Sequence, residues 1–516
     1  MAPVEQVMMG GSFGEGRVRK PRMHGREKSD ISVVPANPPN KATAAEVGEG
    51  REMAKGNVVS KTRPGHRAGT DAPKALDRVR RAAQKDRKVR FTALLHHVDV
   101  DRLRAAYRAL NPKAAIGVDG VTWDAYGQNL EANLLDLHGR VHRGSYRAKP
   151  SRRAYIPKAD GRQRPLGIAS LEDKILQRAV VEVLNAVYEV DFRDSSYGFR
   201  PGRKPHDALD ALAVGIERRK VNWVLDADIR DFFTSLDHSW LRKFLEHRIA
   251  DKRVLRLVGK WLAAGVIEKG NWSETTQGAP QGASASPLLA NVYLHYVLDV
   301  WTDWWRRCWA CGDMIIVRFA DDFVVGFERQ DDAQRFWDDL RGRFARFGLE
   351  LHPEKTRLIE FGRQAARDRK ARGLGKPETF DFLGFTHICG KDRAGRFGLM
   401  RVTVAKRMRA KTAEVKAELK RRRHLPVAEQ GRWLRSVVRG HLAYYAVPGN
   451  TSALFAFRGQ VTRHWYKALR RRSQRTRMNW ARMGRIAAFW LPPVRVMHPY
   501  PRVRLDVRTR GRSPVR

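Results

Sequence analysis

Acidic residues are scarce in this sequence relative to basic ones: 55 Asp and Glu stand against 100 Lys and Arg, a formal net charge of +45 over 516 residues. Such an excess repels itself unless it meets a polyanion. Nucleic acid is the polyanion whose phosphates Lys and Arg engage most productively, by releasing counterions. Cysteine is scarcer still. The three present, Cys308 and Cys311 in "CWAC" and Cys389 alone, exclude a disulfide-stapled scaffold and leave a four-ligand zinc site without its second pair. Long apolar runs are missing as well, since no stretch approaches the ~18 residues of a membrane-spanning helix. The N-terminal "MAPVEQVMMGGSFGEG" lacks the basic and apolar regions of a secretory signal. These absences predict a cytoplasmic protein with reduced thiols and no membrane partner.

The chain exceeds the ~250–300 residues that a single core usually reaches, so several domains are expected. Residues 1–72 are polar and rich in Gly, Pro and charge, a composition that buries too little apolar area to offset its ordering entropy, and they read as a basic, disordered arm. From Leu76 the pattern turns helical, and "DRLRAAYRAL" places Leu103, Ala106, Tyr107 and Leu110 on one helical face. Helix-like and strand-like runs then alternate to about residue 390. Beyond it "AKRMRAKTAEVKAELKRRRH" opens a more helical, more basic region, which predicts a boundary near 395 between segments 73–394 and 395–516.

Two stretches concentrate carboxylates where strands should not have them. In "IIVRFADDFVVGF" two apolar runs flank Asp321 and Asp322, which reads as a hairpin with both acids at its tip. Asp is also an ordinary turn former, so the pair alone decides nothing. In "NWVLDADIRDFF", Leu225, Ala227 and Ile229 share one strand face while Asp226 and Asp228 share the other, an arrangement that needs solvent or cations on the acidic side. Carboxylates converging from two strands suit two-metal nucleotidyl transfer. There, two Mg²⁺ ions ~3.5–4 Å apart activate a primer hydroxyl and stabilise the leaving pyrophosphate.

These stretches occur with "RPLGIASLEDKILQRAV", "SYGFRPGR", "PQGASASPLLANVYL", "LELHPEKTRL" and "FDFLGF" in the order of the reverse-transcriptase blocks of group II intron-encoded proteins. The chain resembles that family over roughly residues 75–516. The resemblance implies an α+β right-hand fold with fingers, a palm built on an antiparallel sheet, a helical thumb and a C-terminal maturase region. It implies that Asp228, Asp321 and Asp322 are the catalytic, metal-holding carboxylates and that Asp226 is a strand neighbour. Lys158 and Arg164 match the fingers residues that hold the incoming deoxynucleoside triphosphate, and two cations flanking a Gly turn suit a polyphosphate. Phe233 matches the bulky residue that excludes a 2′-hydroxyl, Gln281 lies near the nascent base pair, and Leu383, Gly384 and Phe385 form the primer grip. Phe319 replaces the family's commoner Tyr, Asp231 stands where Gly is frequent, and "ASASP" at Ala283–Pro287 replaces a more usual apolar pair.

In the C-terminal region, Trp433, Val437, Val438, Leu442 and Tyr445 follow helical spacing and read as core. In "RHWYKALRRRSQRTR", Arg470, Arg471, Arg472, Arg475 and Arg477 cover more than one face of a helix, a density suited to structured RNA. A solvated charge run is the other reading. No Cys follows Cys389, so the paired CxxC motifs of the family's C-terminal nuclease are missing, and a form without that nuclease is expected. The expectation is an RNA-directed DNA polymerase that uses Mg²⁺, binds its group II intron RNA, an RNA template and a DNA primer or target, and assists intron splicing. A maturase with a vestigial polymerase, and a domesticated reverse transcriptase in phage defence or CRISPR spacer acquisition, are the alternatives. Oligomeric state is not legible.

Overall fold

The computed structural model describes residues 72–157, 163–391, 394–473 and 477–503. Lys158, Arg475 and the arm up to residue 71 lie outside them. The strands in chain order are β1 (Ser151–Pro157), β2 (Gln163–Ile168), β3 (Trp223–Asp228), β4 (Val266–Glu268), β5 (Asn271–Ser273) and β6 (Met314–Phe319). They continue with β7 (Asp322–Phe327), β8 (Arg357–Glu360), β9 (Phe380–Phe382), β10 (Phe385–Lys391) and β11 (Phe397–Thr403).

The central sheet has the order β6-β7-β3-β8, with every neighbouring pair antiparallel. Its two faces feed different cores because side chains alternate along each strand. Leu225, Ala227, Phe323, Val325 and Phe327 join a core with the helices Leu171–Asp191, Ser286–Leu294 and Gln330–Arg346. Val224, Val317, Val324 and Ile359 join another with the helix Pro205–Arg218 and the C-terminal helices Val427–Tyr445 and Thr451–Arg470. A sheet buried on both sides cannot display acids on its strands cheaply, so Asp228, Asp321 and Asp322 gather at its end, and Asp226 within β3 is paired with Arg357. The long helix Leu171–Asp191 starts where Ser170 accepts from the Asp173 amide at 3.3 Å, a side-chain cap at the end of "LGIAS".

A second sheet, β2-β1-β4-β5, pairs β1 and β2 as a hairpin with β4 parallel to β1. The third, β11-β10-β9, leads into the helices Ala405–Arg421, Val427–Tyr445, Thr451–Arg470 and Trp480–Trp490. Residue 395, where the sequence suggests a boundary, falls between two paired strands, with Lys391 opposite Phe397. Among the residues on helical spacing, Val438, Leu442 and Tyr445 are buried, and Trp433 and Val437 pack partly buried against the same core.

The basic run does not continue as one helix. Its helix ends at Arg470, Arg471 and Arg472 follow in a turn, and a new helix opens at Trp480, where Asn479 accepts from the Arg482 amide at 2.8 Å. Arg472 is drawn back to the His424 carbonyl at 3.1 Å. Arg470, Arg471 and Arg477 are exposed, and Arg470 lies over the Tyr466 ring, which stacks on Trp480 at 4.1 Å. Among the described residues no helix is long and apolar enough to cross a membrane.

Candidate active site

The β6–β7 hairpin turns at Ala320 and Asp321, while Asp322 is the first residue of β7 and pairs with both Phe319 and Asp228. One acid therefore occupies the turn and the other opens the strand. Asp228 closes β3, and as cross-strand partners Asp228 and Asp322 project from the same side of the sheet. Each of Asp228, Asp321 and Asp322 offers a carboxylate oxygen within 4.8 Å of the others, and Asp321 is 9% exposed. They form the one such acidic group found among the described residues. The three thiols are unpaired and apart from it.

Asp226 points to the same side, one step back along β3. Burial pushes its carboxyl up to about 6, against the opposing pull of Arg357, whose guanidinium lies 3.5 Å away. The ammonium of Lys355 contacts the Asp228 carboxylate at 2.5 Å, and the His352 amide donates to the Asp228 carbonyl at 2.8 Å. Lys355 belongs to "LELHPEKTRL", but nothing local in that block marks it as reaching a residue 127 positions away.

The turn itself is tightly braced. Ala320 has φ 60°, left-handed backbone that an L-residue adopts only when its surroundings fix it. Gly198 of "SYGF" abuts it so closely that a Cβ there would lie 2.2 Å from the Ala320 nitrogen. The same segment is pinned to β6 by Tyr197 N–H to the Arg318 carbonyl and Arg318 N–H to the Ser195 carbonyl, both at 2.8 Å. The buried Arg318 guanidinium pairs with Asp299. Neither Gly198 nor this ion pair is legible as functional in the sequence, because the segments they join are far apart in it.

Phe233 follows Asp228 on the short helix Phe232–Ser235 and is half-buried, in edge contact with Phe232 at 5.4 Å. Asp231, where a Gly is frequent in similar sequences, has φ 42° and ψ 38°. The position is left-handed, which explains the glycine, and Asp is among the few other residues that tolerate it. The "PQG" loop hangs on this helix: the Ala279 amide donates to the Phe233 carbonyl at 2.7 Å, and a Cβ on Gly278 would lie 2.9 Å from the same oxygen. Gln281 is half-buried, and its carbonyl accepts from the Gly167 amide at 2.7 Å, which ties the loop to β2. Half-buried Arg164 lies on β2, opposite Ile156. Ala285 in "ASASP" is buried, and its amide donates to the Gln177 side chain at 3.2 Å.

Leu383 and Gly384, with φ 48° and 84°, make the tight turn from β9 to β10, and Phe385 is fully buried. The Tyr444 hydroxyl donates to the Leu383 carbonyl at 2.8 Å, and Phe385 packs on Tyr444 and Tyr445 at 5.8 and 5.2 Å. This turn is therefore tied to the helix Val427–Tyr445.

An antiparallel sheet carrying three carboxylates at one end, flanked by helices, with a β-hairpin sheet before it and a helical region after it, is the α+β architecture of a right-hand polymerase. The family described as "Reverse transcriptase (RNA-dependent DNA polymerase)" matches residues 156–387. Protein YkfC of Escherichia coli (strain K12) is 33% identical over 276 residues, covering 47% of this chain and 71% of that protein. The group II intron-encoded protein LtrA of Lactococcus lactis subsp. cremoris is 34% identical over 222 residues, covering 43% of this chain and 37% of LtrA. An uncharacterized 91 kDa protein in the cob intron of Schizosaccharomyces pombe is 40% identical over 199 residues, covering 38% of this chain and 24% of that protein. The chain belongs to the reverse transcriptases, RNA-directed DNA polymerases, and among them to the group II intron reverse transcriptase and maturase family.

Proposed function

We propose that the chain extends a DNA primer on an RNA template at Asp228, Asp321 and Asp322, and that it binds its group II intron RNA and assists its splicing. The observation that carries the polymerase reading is the convergence of these carboxylates, from the end of β3 and from the β6–β7 hairpin, to within 4.8 Å. The donor set fits Mg²⁺: all ligand atoms are hard carboxylate oxygens, partly buried and closely grouped. Two such ions, held there, would lower the pKa of the primer hydroxyl and stabilise the departing pyrophosphate. The chain's own part is positioning. Asp228 and Asp322 are fixed by strand pairing, Asp321 by the braced turn, and the Lys355 ammonium, paired with Asp228, offsets part of the group's negative charge.

In this reading Phe233 presents its ring where a 2′-hydroxyl would collide. Arg164 on β2, with Lys158, holds the triphosphate, and Gln281 is placed between β2 and the helix Phe232–Ser235. Residues 73–394 serve as fingers and palm, and 395–516 as thumb and maturase region. Leu383, Gly384 and Phe385 support the primer strand, and the tie to Tyr444 makes that support continuous with the C-terminal helices. The net charge of +45 and the exposed Arg470, Arg471 and Arg477 support intron RNA as the partner of the C-terminal region.

The test is the double variant Asp321→Asn, Asp322→Asn. Primer extension with Mg²⁺ should be abolished, while protein-assisted splicing, which uses the RNA's own active site, stays largely intact. Extension at the wild-type rate would refute the site. Loss of splicing alone, with extension retained, would favour a different assignment of both activities.

A further inference from the structure

Three residues before Asp321, the Arg318 side chain is fully enclosed. Its Nε and Nη2 donate to the two carboxylate oxygens of Asp299 at 2.8 and 2.6 Å. Its Nη1 donates to the Asn291 side-chain oxygen at 3.1 Å and to the Ala320 carbonyl at 2.9 Å. Asn291 in turn donates its amide to the Gly198 carbonyl at 2.7 Å. One guanidinium thus joins the hairpin to the helix Ser286–Leu294 and, through Asn291, to the "SYGF" segment.

Asp299 reaches this point by an unusual route. The helix Ser286–Leu294 widens into a π-helical turn, His295–Asp299, before resuming as Val300–Cys308. Such turns shift the side chains that follow them and concentrate at functional sites.

The fold alone gives little reason for an ion pair here, because apolar side chains of similar volume commonly serve a core as well or better. What a guanidinium adds is direction, with donors in a fixed planar fork. One prong of that fork meets the carbonyl of the left-handed residue immediately before Asp321.

We propose that Arg318 is a positioning residue for the active site: held by Asp299 and Asn291, it fixes the Ala320 carbonyl and thereby sets Asp321 against Asp228 before substrate arrives. This rests on reading Asp228, Asp321 and Asp322 as the metal-holding group. Residues that orient metal ligands without touching the metal typically change affinity or activity by about 10- to 100-fold when replaced. The side chain acts here through the backbone of the ligand's neighbour.

The experiment uses the full chain on a dideoxy-terminated primer–template, where no chemistry occurs, and measures Mn²⁺ binding by electron paramagnetic resonance of the free ion. Arg318→Met should weaken Mn²⁺ by about tenfold or more and slow extension by up to about a hundredfold. Affinity for intron RNA should stay within about twofold of wild type, a change worth under ~0.5 kcal/mol. Arg318→Lys, with one ammonium in place of the fork, should recover part of the loss. Unchanged Mn²⁺ affinity in Arg318→Met overturns the proposal. So does a parallel fall in RNA affinity, which would mark general loss of structure. If Arg318→Met does not fold, Asn291→Ala leaves the ion pair in place and should still weaken Mn²⁺ several-fold, and no change there overturns the proposal equally. The Asp321→Asn, Asp322→Asn variant runs alongside. Wild-type Mn²⁺ binding in that variant would refute the metal-holding group itself and not the role of Arg318.

Discussion

Gly198→Ala should slow catalysis through the hairpin turn that carries Asp321. The added Cβ would lie 2.2 Å from the Ala320 nitrogen, 2.8 Å from the Phe319 carbonyl carbon and 2.9 Å from the Ala320 Cα, all of them backbone. Ordinary contact begins near 3.4 Å, so the two chains must part by about 1.2 Å. The "SYGF" side is poorly able to retreat, because Asn291 holds the Gly198 carbonyl at 2.7 Å and β6 holds Ser195 and Tyr197 at 2.8 Å. The turn at Ala320 and Asp321 is what gives. A misplacement of about 1 Å in a catalytic group can reduce the rate by ~10²-fold, equivalent to about 2.7 kcal/mol of barrier. Single-turnover extension on a pre-formed primer–template should fall by about that factor, with intron RNA affinity unchanged to within about twofold. A variant that keeps more than about a third of the wild-type rate would refute the claim that this contact sets the turn. One that loses RNA affinity in proportion would show that the substitution damages the fold instead.

Phe233→Ala should raise ribonucleotide incorporation relative to deoxynucleotide, read as the ratio of the two kcat/KM values; an unchanged ratio would return this half-buried ring to a packing role. Replacing Arg470 and Arg471 with Ala should weaken intron RNA binding and reduce the slope of log K against log salt by about 1.5, at roughly 0.7–0.9 per phosphate contact. Adding Arg472→Ala should alter the slope less, because that side chain is already committed to the His424 carbonyl. His441 is buried, stacked on Phe457 at 3.6 Å, and burial lowers its pKa to about 3. Because the folded value lies below the unfolded ~6.5, its contribution is intact above pH 6.5 and is lost as pH falls toward 3. At pH 5 the loss is about 2 kcal/mol, at 1.36 kcal/mol per unit. Denaturant unfolding at pH 7.5 and 5 should therefore show His441→Leu losing about that much less than wild type on acidification, and equal losses would refute the assignment.

Much of this site can be read along the chain, because the relevant signals are local. The alternation in "NWVLDADI" separates Leu225 and Ala227 from Asp226 and Asp228, and the structure places the first pair in the core and the second on the other face. The apolar runs around Asp321 and Asp322 give the hairpin, although strand register, which no local pattern sets, decides that only Asp321 sits in the turn. The arginine run shows the opposite failure. Helical propensity runs on past Arg470, but the chain breaks there as Arg472 reaches for the His424 carbonyl, a contact between positions 48 apart. Gly198, Asn291, Asp299 and Lys355 are invisible for the same reason: each matters through a partner at least 19 positions away, and an isolated Gly, Asn, Asp or Lys has an ordinary explanation at hand.

The core that lies against Val224, Val317, Val324 and Ile359 is completed by residues as late as Met483, Ala487 and Leu491. This fixes an order of events at the ribosome. When Glu360 has been synthesised, all four strands of the central sheet exist, yet about 130 further residues must follow before that core is complete, which takes roughly 7–26 s at 5–20 residues per second. The helix Pro205–Arg218 is already available and shields part of the surface. The rest is bare, β-branched and apolar, the kind of surface on which aggregation competes with folding. The sheet that carries Asp228, Asp321 and Asp322 is thus complete in its strands by mid-chain, yet one of its faces is finished only when the last helices arrive.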